Sequence, residues 1–100
     1  RNSAMHKAAA MGQCEAIGML YKLGVSPVEP NEDGSTPLHL AAAFGHLPAC
    51  KLLVSKGGDV GAKDSDGQTP LREAKLWDRR DVLAWLATLT GDRTWDRPLS

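Results

Sequence analysis

Residues 33–60 read "DGSTPLHLAAAFGHLPACKLLVSKGGDV", and the punctuation inside this stretch decides the fold. Thr36 has a hydroxyl suited to capping a helix start, and Pro37 follows at the first helical position, where no backbone N–H is needed. Behind that start Leu38, Ala41 and Ala42 recur at helical spacing. Gly45 permits a reversal, and Leu47, Cys50, Leu52, Leu53 and Val54 supply the apolar side of a second helix. Gly57 and Gly58 end that helix as glycines end helices generally, and the Asp33-Gly34 pair suits the tip of a tight turn.

Outward from this stretch the pattern repeats. A shift of 33 residues lays it over "DGQTPLREAKLWDRRDVLAWLATLTGDR" (66–93), with Asp, Gly, Thr, Pro and Leu coinciding and Thr69-Pro70 marking a second helix start. The same shift backwards places His6 under His39, Gly12 under Gly45, Leu20 under Leu53 and Gly24 under Gly57, again without a gap. A fixed period of this length marks a stacked repeat architecture. The expected fold is all-α, a solenoid of three helix-turn-helix units with projecting β-turn or hairpin loops. The expected units are 1–32, 33–65 and 66–98, the first incomplete at its start, the last carrying a capping tail, and all within one domain.

The stretch 33–60 closely resembles an ankyrin repeat, and the resemblance extends over nearly the whole chain as three repeats. The outer two depart from the family pattern. Ser3-Ala4-Met5-His6 stands for Thr-Pro-Leu-His in the first, while the third has Arg72 for the histidine, Lys75 for an alanine and Asp78-Arg79 for Gly-His. An end unit has one face without a neighbour and must meet water there. Lys75, Arg79, Arg80 and Asp81 accordingly read as the solvated end of the stack, with Trp95 of the tail folding back over it.

Several function classes are disfavoured by what the chain contains. The 12 Lys and Arg balance the 12 Asp and Glu, so no overall field draws it to nucleic acid, and Glu73, Asp78 and Asp81 offset the local cluster Arg72, Lys75, Arg79 and Arg80. Apolar runs stop well short of the ~20 residues a membrane span needs. No nucleophile, phosphate-binding or metal-ligand spacing is present, so neither enzyme activity, nor a cofactor, nor a metal is expected. His6 and His39 read as hydrogen-bonding groups of the framework rather than ligands. Cys14 and Cys50 read as packed, reduced thiols, which suits an intracellular setting, cytoplasmic or nuclear. Because the chain begins at Arg1 rather than Met, an organelle-targeting segment stays open.

What remains is a ladder. Met11, Phe44 and Trp77 fall at one 33-residue interval, with Leu76 beside the last. The ankyrin resemblance implies that these positions face the concave side of the stack, with units roughly 10 Å apart. Glu32, Asp33, Ser35, Ser65, Asp66 and Gln68 at the turn tips would form a polar, mostly acidic rim. The implied partner is another protein, presenting an apolar segment with basic residues to an adaptor or scaffold. Two plainer readings stay open: the ladder shields the alanine seam, and the acidic turns only solubilise. An alternative is assembly with a like or unlike stack through the end faces, using Trp85, Leu89 and Trp95.

Overall fold

In the computed structural model, which describes residues 2–91, the chain forms six helices. They are α1 (Ala4–Ala10), α2 (Cys14–Lys22), α3 (Pro37–Ala43), α4 (Leu47–Ser55), α5 (Pro70–Leu76) and α6 (Arg80–Thr90), and no strand occurs among the described residues. Each odd-numbered helix packs on the even-numbered helix that follows it. The odd helices also lie side by side, α1 on α3 and α3 on α5, and the even helices do the same. The result is three helix pairs in a two-layer stack.

The starts of the odd helices are the ones the sequence marks. Ser3, Thr36 and Thr69 are extended N-cap residues whose side chains accept from the N–H three residues on, and Pro37 and Pro70 open their helices. In the first two pairs the cap is reciprocal. The Ser3 N–H donates to His6 Nδ1 (3.3 Å), and the Thr36 N–H donates to His39 Nδ1 (3.1 Å). The far side of each ring reaches the next unit: His6 Nε2 donates to the Ser35 carbonyl at 2.8 Å and His39 Nε2 to the Gln68 carbonyl at 2.7 Å. A backbone N–H only donates and a carbonyl only accepts, so these partners fix the hydrogen on Nε2 in both rings.

The core is thin and rich in alanine. Met5, Ile17, Leu38, Leu53, Leu86 and Val82 are fully enclosed, while Ala9, Ala41, Ala42 and Ala74 fill the seam where the odd helices meet. Small side chains there let neighbouring helices close to van der Waals contact, and each enclosed Leu or Ile contributes ~1.5–3 kcal/mol by leaving water. Cys50 is wholly buried in this core and Cys14 half-buried beside it, both as free thiols.

The ends of α1 to α5 follow one design. Gly12, Gly24, Gly45 and Gly57 are left-handed residues one position beyond the caps of α1 to α4, and Asp78 (φ 56°) takes that place after α5. In every case the next N–H returns to the carbonyl five residues back: Gln13 to Ala8, Val25 to Leu20, His46 to Ala41, Gly58 to Leu53 and Arg79 to Ala74. Those bonds satisfy carbonyls that a helix end otherwise leaves open.

Candidate functional site

Met11, Phe44 and Trp77 are the C-cap residues of α1, α3 and α5, each followed by the left-handed residue that reverses the chain. No further helical turn exists to cover a side chain at that point. The three are exposed by 65, 52 and 56%, and because α1, α3 and α5 lie side by side, they mark the ends of three adjacent helices. Leu76 adds to this line at 68% exposure, where the equivalent residues Ala10 and Ala43 are small and half-buried. The apolar surface therefore widens toward the third helix pair. Trp77 is also oriented: its indole N–H donates to Glu73 Oε2 one turn earlier, at 3.3 Å.

The turn tips are built from two residues that the sequence reading passed over. Asn31 Oδ1 accepts from the Asp33 and Ser35 N–H groups (2.9 and 3.0 Å), and Asp64 Oδ1 accepts from those of Asp66 and Gln68 (2.9 Å each). Their signal was an Asn or Asp two residues ahead of Asp-Gly, the usual mark of a side chain closing its own turn. Successive turns are joined as the Ser65 N–H donates to the Asp33 carbonyl at 2.9 Å. Gly34 is required at that contact, since its φ is +76° and an added Cβ would lie 2.8 Å from Ser65 N.

This frame divides the six rim residues. Glu32, Asp33, Ser65 and Asp66 are exposed at the tips. Ser35 and Gln68 are half-buried, and their carbonyls receive the two histidine bridges, so their main chains belong to the framework. Of the end-face residues, Trp85 is half-buried against the core, Leu89 is exposed on α6, and Trp95 lies outside the described residues, as do Arg1 and the rest of the tail.

Arg79 corrects the reading of the third unit as a purely solvated end. It is half-buried, its Nε donates to the Ala43 carbonyl at 2.8 Å, and its stem lies against Gly45. His46 sits over Gly12 in the same way one unit earlier, so Arg79 performs the packing role of the histidine it replaces. Lys75, Arg80 and Asp81 are exposed as expected. The sequence reading also missed exposed Met19, Tyr21, Leu23 and Val28 in and after α2.

Among the described residues, no three His, Cys, Asp or Glu side chains gather where they could hold a metal ion, and no helix is long and apolar enough to cross a membrane. Burial pushes the Cys50 thiol up to about 12, which keeps it protonated and unreactive at neutral pH. A family model for ankyrin repeats, in three copies, matches residues 5–94. No curated protein matches the chain.

Proposed function

The chain belongs to the ankyrin-repeat family, and from that premise we propose that it is a non-catalytic adaptor or scaffold module binding one segment of a partner protein along the ends of α1, α3 and α5. Ankyrin repeats generally serve as protein–protein interaction modules, and the family is typically non-catalytic. The observation that carries the choice of surface is the exposure of Met11, Phe44, Leu76 and Trp77 at equivalent helix ends. Aromatic residues at such a place make efficient anchors, because they bring large area at small entropic cost. Asp33 and Asp66 at neighbouring turn tips favour a partner that carries basic residues beside its apolar ones. An intracellular setting, cytoplasmic or nuclear, suits the free thiols of Cys14 and Cys50.

A double variant, Phe44→Ala with Trp77→Ala, tests this directly. Both side chains are more than half exposed, so the variant is expected to keep its helical circular dichroism and, with two surface substitutions, its stability within about 1 kcal/mol. A partner captured by the wild-type chain should be lost at least ~10-fold by the variant, since each anchor is worth ~1.5–3 kcal/mol on burial. Equal capture by both chains would remove this surface from consideration.

A further inference from the structure

Three pairs of side chains stand one helical turn apart at equivalent places on the odd-numbered helices: Lys7 before Met11, Leu40 before Phe44 and Glu73 before Trp77. A spacing of four residues puts both members of a pair on one face, so each pair carries the exposed helix end back along its own helix. Across the stack these pairs change in one direction. The charge passes from exposed Lys7 through half-buried Leu40 to half-buried Glu73. The helix-end residue passes from a thioether through a phenyl ring to an indole, and the face of a Trp attracts a cation more strongly than that of a Phe. The two trends arise from different chemistry and have the same sign: the third unit attracts positive charge, and the first repels it.

In the third unit the two members of the pair are also joined. The Trp77 indole N–H donates to Glu73 Oε2 at 3.3 Å, which uses the one donor of the ring and holds the carboxylate beside it. An ionised carboxylate accepts several hydrogen bonds, so Glu73 retains capacity for a further donor. The cations of α5 itself do not fill this place. Arg72 stands at the position of His39, which bonds the unit that follows, and Lys75 lies one turn on along the same side, so both are turned toward the open end of the stack. Among the described residues the ring with a cation over it is Tyr21, beneath Lys56.

We infer that the Trp77–Glu73 pair seats one basic side chain of the partner segment, arginine in preference to lysine, and that the segment lies with this basic end over the third unit and its apolar part over Phe44 and Met11. The inference rests on the ends of α1, α3 and α5 being the binding surface. A guanidinium is planar, so it can stack on the indole face while an N–H at its edge donates to Glu73, whereas an ammonium brings only a compact charge. The same side chain placed at the opposite end would meet Lys7 beside Met11, where no ring is present and the charge is of like sign.

A displayed library of random peptides about a dozen residues long supplies the probe, since six or seven extended residues already span the ~20 Å between the first and third units. Peptides selected on the wild-type chain are measured again on the Phe44→Ala/Trp77→Ala chain and on Glu73→Gln, which removes the charge but keeps an oxygen for the indole N–H. Those that depend on Phe44 and Trp77 should carry a basic residue at one end of an apolar stretch. Glu73→Gln should weaken them about 5-fold, alanine in place of that basic residue should weaken them at least as much, and Glu73→Gln should then add nothing further. Lysine in place of arginine should recover only part of the loss, and Lys7→Gln should show no such coupling to the basic residue. Peptides that need Phe44 and Trp77 yet are indifferent to Glu73→Gln overturn this inference and leave the binding surface standing. Peptides bound equally by the Phe44→Ala/Trp77→Ala chain, or a library from which none is enriched, remove the surface and the inference together.

Discussion

Asp78 holds the left-handed conformation (φ 56°) that the two preceding units give to Gly12 and Gly45. A residue with a Cβ is strained there, whereas glycine adopts it freely. Its ion pair with Arg80 at 3.3 Å is no compensation, since both side chains lie open to water, where such pairs contribute little. Asp78→Gly should therefore stabilise the protein by about 0.5–1 kcal/mol, read as a higher urea midpoint at unchanged slope. Gly45→Ala should act in the opposite direction by at least ~1 kcal/mol. Its φ is +75°, and the new methyl would meet Arg79 Cδ at 2.8 Å while that side chain is held by the Ala43 carbonyl. If Asp78→Gly lowered the midpoint, the left-handed strain would not be what distinguishes this position.

Among the described residues, α4 carries the one group whose titration burial has clearly raised. Cys50 is enclosed between the layers, and loss of its solvent raises the thiol from its ordinary value near 9 to about 12. The sign follows directly. Between those values the unfolded chain releases a proton that the folded chain retains, so stability is constant on this account below about pH 9 and falls as pH rises toward 12. Urea midpoints at about pH 7.5 and pH 10 should differ by less in Cys50→Ala than in the wild type, and the difference between the two chains isolates the contribution of this thiol. An identical alkaline fall in both chains would exclude Cys50 as a contributor.

The same scale shows what the sequence could and could not say. Thr36-Pro37 and Thr69-Pro70 open α3 and α5, and Gly12, Gly45 and Gly57 stand just beyond helix ends, because capping chemistry is local and leaves local marks. The ankyrin resemblance, rather than any local mark, pointed to an open face for Met11, Phe44, Leu76 and Trp77, and all four are exposed. Arg79 was misread because its partner, the Ala43 carbonyl, lies 36 residues away, and charge alone gave no reason to place it inside. Met19 and Leu23 escaped notice for a related reason. Alternation along α2 separates core from solvent, but it does not show which flank of the helix a neighbouring unit covers.

Across the whole molecule, stability is coupled from neighbour to neighbour. The α3–α4 pair touches a pair on each side, whereas α1–α2 and α5–α6 do not touch each other in any substantial way among the described residues. Opening the middle pair disrupts two interfaces and opening an outer pair disrupts one, so amides of α3 and α4 should exchange with solvent most slowly. The histidine bridges make this coupling testable one interface at a time. His6 joins the first unit to the second through Ser35, and His39 joins the second to the third through Gln68. His39→Ala removes a buried bridging group and leaves the Thr36 N–H and the Gln68 carbonyl without that partner, at a cost of about 2–3 kcal/mol. Hydrogen exchange read by mass spectrometry should then quicken in α5 and α6 well beyond any change in α1 and α2, and His6→Ala should quicken α1 and α2 instead. The contrast depends on each bridge crossing only one interface. A uniform increase along the chain in both variants would show that the three units open as a single body and that the bridges stabilise the stack without dividing it.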